Sequence, residues 1–355
     1  MTRPTLSDVA KRAGMSTAAA SLILNDRPSR LSAEAAERVR RAADELGYRP
    51  NLAARSLRTR SQSIGFVSDY ITTSGVGGQL IHGAMLEARK TGHVVLIIET
   101  EHDSFIPQAL GSSVMQHLEP IDESVAVNAL LDRLSEGIIY AAIRSQPVVV
   151  PEAAKSVPVV LLNVTSSDDL ACSVLPDEYS GGRSVAELLA DNGFKDKIAL
   201  IGSTEARITD ASATATVTRR LKGIFSVMGE REMSFSAQVD CPVWDTPSGY
   251  AAVSGLLESK LPFDALLCLN DRLAFGAYQA LAEAGLSVPK DVSVVSFDDD
   301  PLASHLRPQL TTCALPFEEM GQLAVRLLLD PEAEKREYLV EMPLRQRDSV
   351  CKKKS

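Results

Sequence analysis

No stretch of this 355-residue chain comes near the ~20 consecutive apolar residues that cross a bilayer. Its opening residues, "MTRPTLSDVAKR", lack the apolar core of a secretory signal. The expectation is a cytoplasmic protein with no membrane attachment. Cysteine is sparse: Cys172, Cys241, Cys268, Cys313 and Cys351 are odd in number, widely spaced and never form a CxxC pair. This argues against a zinc site or a disulfide framework and leaves most of them as small buried hydrophobes. Five histidines are scattered without metal-ligand spacing, so no metal is expected. No G-x-G-x-x-G follows the first strand-like stretch, and P-loop, G-x-S-x-G and H-E-x-x-H motifs are absent. No cofactor is expected, and an enzyme has little support.

What is present begins with charge. Residues 1–61 carry 12 Arg and Lys against 6 Asp and Glu, whereas the remaining residues carry 25 against 40. A small basic head on a large acidic body is the asymmetry of a chain whose one end meets a polyanion. Three short helices are predicted in the head. The first runs from about Leu6, capped by Thr5 or Ser7, to Ala13, with Leu6, Val9, Ala10 and Ala13 on one face. Gly14 allows a tight turn, Ser16 caps the second helix, and Ser32 caps a third that ends at Gly47.

Two helices joined at a glycine turn suit a helix-turn-helix. The second, in "GMSTAAASLILN", splits into a core stripe of Ala20, Ile23 and Leu24 and an outward stripe of Thr17, Ala18, Ser21, Leu22 and Asn25. That outward face has no Arg, Lys, Gln or His. Ser21 and Asn25 suit phosphate contacts, while Thr17, Ala18 and Leu22 offer methyl groups that suit the thymine C5-methyl. "YRPNLAARSLRTRS" follows at 48–61. By itself it is too short to hold a helix in water and reads as a basic linker.

Beyond residue 62, apolar strand-like stretches alternate with amphipathic helical ones about six times, from "SIGFVSD" and "GGQLIHGAMLEARKTG" to "DRLAFGAYQALAEAG" and "DVSVVSF". This predicts parallel sheets covered on both faces, with ligands at the carboxyl ends of the strands.

Together, "TLSDVAKRAGMSTAAASLILN" and "LSAEAAERVRRAADELGYRPNLAARSL" resemble the LacI-type (lactose-repressor) family of bacterial transcription regulators, near-continuously over residues 5–57. The body resembles the same family in "FDALLCLNDRLAFGAYQALAEAGLSVPKDVSVVSFDD" and "LRPQLTTCALPFEEMG". The resemblance implies an all-α helix-turn-helix head over 1–50, a hinge helix over 51–61, and a two-lobed periplasmic-binding-protein-like α/β effector domain over 62–350. A disordered tail over 351–355 completes the expected organisation. It also implies a homodimer on a pseudo-palindromic double-stranded operator, with paired hinge helices in the minor groove and Leu57 pushed into a central base step.

The candidate DNA-facing residues are Thr5, Ser7, Ser16, Thr17, Ala18, Ser21, Leu22, Asn25, Arg30, Asn51, Ala54, Leu57 and Arg58. The candidate effector-binding residues carried over by the resemblance are Asp69, Asn163, Arg220, Trp244, Asn270, Asp298 and Phe317. Carboxylates and amides bond hydroxyls, an Arg forks two oxygens and an aromatic ring stacks on a sugar face, so the implied effector is a sugar or sugar derivative.

The sequence departs from the family in several places. "SDYITTSGVGGQL" lacks an Asn-Pro-Phe, Asn163 stands where Asp is frequent, and residues 103–120 form a long connection. Leu22 stands where many members hold an Arg. These departures leave the effector's identity open, including effectors outside the simple sugars. "RDSVCKKKS" reads as disordered, and with no heptad tail a dimer is expected rather than a tetramer. Two other classes remain as alternatives: a solute-binding transport protein, against which the basic head speaks, and a sugar-processing enzyme, for which no catalytic set is present.

Overall fold

A computed structural model of the chain describes residues 4–24, 31–48, 63–69, 77–100, 121–142, 148–165, 171–209 and 214–353. Asn25, Arg30, Asn51, Ala54, Leu57 and Arg58, the expected hinge helix and the 103–120 connection lie outside these residues. The chain divides into two compact units, Met1–Gln62 and Ser63–Ser355.

Capping chemistry sets the helices of the first unit. Helix α1 (Leu6–Ala13) starts at Thr5 rather than Ser7. The Thr5 hydroxyl accepts from the Asp8 backbone N–H at 3.3 Å, and the Asp8 carboxylate accepts from the Thr5 N–H at 2.8 Å. The two residues thus satisfy each other's free groups, and the Thr5 hydroxyl, donating to Asp8 Oδ2 at 2.7 Å, together with the Thr5 N–H holds the Asp8 carboxyl below its ordinary range. Gly14, at φ 66°, takes the left-handed turn that ends α1.

Ser16 then caps α2 (Thr17–Leu24), accepting from the Ala19 N–H at 3.2 Å. Ser32 caps α3 (Ala33–Leu46). Val9, Ala10, Ala20, Ile23, Val39, Ala42 and Ala43 form the core between the three helices. Small residues dominate it, which lets short helices approach closely.

The second unit holds two six-stranded sheets. Lobe 1 contains β1 (Ser63–Ser68), β2 (Val94–Glu99), β3 (Ile138–Ala141), β4 (Val159–Leu162) and β5 (Cys172–Pro176). Lobe 2 contains β6 (Ile198–Gly202), β7 (Phe235–Asp240), β8 (Ala265–Cys268), β9 (Ser293–Asp298) and β10 (Thr311–Ala314). The last two strands are divided: β11 (Glu337–Val340) joins lobe 1 and β12 (Leu344–Arg345) joins lobe 2.

The sheet orders are β11-β5-β4-β3-β1-β2 and β12-β10-β9-β8-β6-β7. The strands pair in parallel throughout the described residues except for β12, which runs antiparallel to β10. Parallel strands buried on both faces read as continuous apolar runs, which is why the sequence pattern announced them. The edge and crossover strands β5, β7, β10, β11 and β12 escaped that pattern, being short or mixed in composition.

Helices α4 (Gly78–Lys90), α5 (Glu123–Leu131) and α10 (Phe317–Leu329) cover lobe 1. Helices α6 (Glu178–Asp191), α7 (Ala215–Glu230), α8 (Thr246–Ser259) and α9 (Asp271–Glu283) cover lobe 2. The chain crosses between lobes three times: from β5 to α6, from β10 to α10, and from β11 to β12.

The expected disordered end is corrected in part. Ser349 is fully buried, with its hydroxyl donating to the Val294 carbonyl at 2.6 Å and accepting from the Thr311 N–H at 2.8 Å. Lys353 donates its backbone N–H to the Asn192 carbonyl at 2.9 Å. The run "RDSVCKK" therefore lies along lobe 2, held by hydrogen bonds to lobe 2 backbone groups that a composition-based reading does not register. Cysteine follows expectation: Cys172, Cys241, Cys268 and Cys313 are buried free thiols, and Cys351 is partly buried. Among the described residues no helix is long and apolar enough to cross a membrane.

Candidate functional site

Two surfaces are candidates for function, one in each unit. In the first, Ala20 and Ile23 point α2 into the core, and Ser16, Thr17, Ala18 and Leu22 are exposed, Leu22 at 37%. Ser21 is half-buried and Leu24 packs partly buried against the core. Thr5 and Ser7 are exposed at the start of α1. The free face of α2 thus bears methyl and hydroxyl groups and no ionised side chain.

In the second unit the polar side chains gather at the carboxyl ends of the strands. Arg220, on α7, is 2% exposed. Its Nε donates to Glu178 Oε2 at 2.7 Å and its Nη2 to Glu178 Oε1 at 2.9 Å, so one carboxylate takes both prongs of the guanidinium fork. Nη1 donates to the Leu269 carbonyl just past β8. The Phe297 ring lies under the guanidinium, 4.3 Å from centroid to carbon. Burial works against the Arg220 charge, but the Glu178 carboxylate outweighs it and raises the pKa.

Asp298, the last residue of β9, stands at φ 110° with its carboxylate 3.9 Å from Arg220 Nη2. Burial pushes its carboxyl well above the carboxylate range; Arg220 opposes that shift, and Asp271 and Glu178 add to it.

Beside it, Asp271 is fully buried in the first turn of α9. Its Oδ1 accepts from the hydroxyls of Ser296 and, at 2.8 Å, Thr312, and its Oδ2 accepts from the Asp300 N–H at 2.7 Å. Burial raises its carboxyl to about 7 despite those three bonds.

The other candidates frame this cluster. Asn270 caps α9 through the Leu273 N–H at 2.9 Å and donates to the Trp244 carbonyl at 3.1 Å. The Trp244 indole N–H donates to the Gly202 carbonyl at 2.8 Å, fixing the ring at the end of β6. Across in lobe 1, Asn163 follows β4 at φ 60° and donates to the Ala142 carbonyl at 2.8 Å, tying together the ends of β3 and β4. A small recess brings Asn163 and Glu178 together with Thr216 and Arg219.

Asp69 follows β1 and accepts from the Ser68 hydroxyl at 3.2 Å. Phe317, 3% exposed, opens α10 in the lobe 1 core. With Asp298, Asp299, Gln79 and Arg345 it also borders a groove of about 510 Å³ at the junction of the lobes.

Sequence reasoning placed Arg220 as a fork for ligand oxygens; in the structure that fork is taken by Glu178. Glu178 and Asp271 were both missed. Each is an acid in the first turn of a helix directly after an apolar strand, in "CSVLPDE" and "ALLCLND", and that position was the available signal. The R-x-x-G pattern at Arg220 also has a packing cause. A Cβ on Gly223 would strike the Tyr179 carbonyl, and one on Gly182 would strike the Arg220 carbonyl, so paired glycines let α6 and α7 touch and set Arg220 against Glu178.

A head whose described residues form three helices of helix-turn-helix form, and a body of two largely parallel sheets crossed three times, define a DNA-binding regulator joined to a periplasmic-binding-protein-like domain. Residues 5–51 match the family described as "Bacterial regulatory proteins, lacI family", and residues 186–350 match "Periplasmic binding protein-like domain". The regulator AscG of Escherichia coli is 30% identical over 92% of this chain and 91% of its own. The ribose operon repressor of Haemophilus influenzae is 28% identical over 92% and 91%. The Lac repressor dimer, solved bound to operator and the anti-inducer ONPF, superposes with a TM-score of 0.78 at 27% identity, covering 99% of this chain and 100% of that one. The chain belongs to the lacI family of bacterial regulatory proteins and is a DNA-binding transcriptional regulator.

Proposed function

We propose that this regulator represses transcription as a homodimer on a pseudo-palindromic operator, and that a sugar or sugar derivative bound between its lobes controls it allosterically. The domain limits are those expected from the sequence: a head over 1–50, a hinge over 51–61 and an effector body over 62–350. The observation that carries the reading is the set of side chains at the carboxyl ends of strands in both lobes, Asn163 after β4, Asn270 after β8 and Asp298 ending β9, with Trp244 held to Gly202 at the end of β6, residue types that bond hydroxyls and stack on a ring. The relatives support it: one is a ribose operon repressor, and the Lac repressor neighbour was solved with operator and an anti-inducer.

Ligand binding shifts the lobes' relative arrangement, and the hinges are drawn together or apart with it. On DNA, the uncharged face of α2 reads thymine methyl groups, and Leu57 supplies part of the specificity by wedging a central base step.

The test joins operator binding to a thermal-shift screen of sugars, sugar phosphates and purines, since a ligand raises the melting temperature by mass action. The expected result is a sugar that stabilises the protein and changes operator affinity. Asp298→Ala keeps operator binding and loses that response; a variant that still responds normally places the ligand elsewhere. Stabilisation by purines alone would overturn the effector class.

A further inference from the structure

An arginine at the base of a ligand cleft ordinarily selects anions, because its fork matches a carboxylate or phosphate. Here the fork is already filled. Glu178, 1% exposed, holds Nε and Nη2 of Arg220 at 2.7 and 2.9 Å, the Leu269 carbonyl takes Nη1, and the guanidinium is 2% exposed. An acidic ligand could take the fork only by displacing Glu178, leaving a buried carboxylate without its counter-ion, which is strongly unfavourable.

Among the described residues, neighbouring cations are also engaged: Arg219 donates to both carboxylate oxygens of Glu337 at 2.8 Å, Arg347 donates to Asp299 at 2.6 Å, and Arg345, which borders the groove with Asp298, pairs with Asp299 at 3.8 Å. Arg272 also bears on Asp298 electrostatically, from an exposed position on α9 where solvent screens it. The Asp298 side chain is 18% exposed and its carboxylate is 3.9 Å from Arg220, too far for a hydrogen bond. Its oxygens are therefore available to a ligand's donors.

We propose that Glu178 is the residue that sets the ligand's charge: by keeping the Arg220 fork for itself it restricts the cleft to polyhydroxylated molecules that are neutral or carry an amine, and excludes sugar acids and sugar phosphates. This rests on the reading of the cleft as an effector site. Glu178 acts through Arg220 and Asp298 and is a positioning residue. A small recess brings it beside Asn163, a candidate effector residue of lobe 1, and Arg219.

The experiment is a thermal shift of the full-length protein at neutral pH with millimolar D-ribose, D-glucose, D-glucosamine, D-glucuronate and glucose 6-phosphate. The wild type is expected to gain several degrees with a neutral or amino sugar and nothing with the two acids. Glu178→Gln, which keeps the length and removes the charge, is expected to gain a shift with glucuronate or glucose 6-phosphate.

A wild-type shift with either acid equal to that of its neutral counterpart overturns the proposal while the effector reading stands. A folded Glu178→Gln protein that still ignores both acids also overturns it. No shift with any of the five sugars removes the effector reading and this proposal with it. Should Glu178→Gln fail to fold, Glu178→Asp takes its place. Its shorter carboxylate releases one edge of the fork, so a shift with an acid is expected and its absence overturns the proposal.

Discussion

The two lobes share one strand order, with the last strand parallel in lobe 1 and antiparallel in lobe 2, and differ in what their strands end in. Lobe 1 closes its strands with the neutral amide of Asn163 and with Asp69, each bonded to groups close by. Lobe 2 closes its strands over a buried ionic assembly of Arg220, Glu178, Asp271 and Asp298. A buried charge survives only with partners already in place, so lobe 2 must be pre-organised where lobe 1 need not be. Under the proposed effector reading, a ligand between the lobes meets a fixed electrostatic face on one side and a hydrogen-bonding face on the other.

The difference can be broken most forcefully through the helix contact that supports it. Gly223→Ala forces α7 off α6 and is expected to cost ~3 kcal/mol or more, a loss read as a lowered urea midpoint. Gly255→Ala on α8, where nothing lies within 4 Å, is the matched control and is expected to stabilise by ~0.5–1 kcal/mol.

Comparable in size, Arg220→Met strands Glu178 in the interior and is expected to cost ~3–5 kcal/mol, whereas adding Glu178→Met recovers most of it. A double variant as unstable as the single one would show that packing, and not charge, makes lobe 2 different.

A pH titration sharpens the contrast further. Burial holds the Asp271 carboxyl up at about 7, so the folded state binds that proton more tightly than the unfolded chain. Its contribution to stability is full in acid below about pH 4 and is lost as pH rises toward 7. Asp298 is shifted in the same direction. Asp271→Asn is expected to be less stable overall and to show a flatter fall in melting temperature between pH 4 and 7; a slope identical to wild type would contradict the assignment.

The smallest expected effect belongs to Arg219 and Glu337, an ion pair that joins α7 of lobe 2 to β11 of lobe 1 at 2.8 Å. Both side chains are about a third or more exposed, so Arg219→Ala is expected to cost under ~1 kcal/mol. Exchanging the two charges by Arg219→Glu with Glu337→Arg is expected to restore what either reversal alone loses, measured in a double-mutant cycle.

Much of this was legible beforehand, and for local reasons. Thr5, Ser16 and Ser32 cap the head helices because a short hydroxyl can reach backbone N–H groups two or three residues on, a rule that needs no tertiary information. Ala20 and Ile23 went inward and Leu22 outward because helical periodicity fixes the stripes. The central strands announced themselves by apolar runs. Glu178 and Asp271 stayed hidden because an acid in a helix's first turn reads as an ordinary favourable charge, and only the fold shows what lies on its other side. The end of the chain misled for a similar reason: the partners of Ser349 and Lys353 lie far away in sequence, at Val294, Thr311 and Asn192.

The sequence by itself determined the head helices, the alternation that builds two parallel sheets, the separation of a basic head from an acidic body, and the family. Each follows from patterns a few residues long or from summed charge. Tertiary structure alone decided who owns the Arg220 fork. Glu178 and Arg220 stand 42 positions apart, and two glycines let their helices touch. Whether a charge serves a ligand or a neighbour depends on distances that no local pattern encodes.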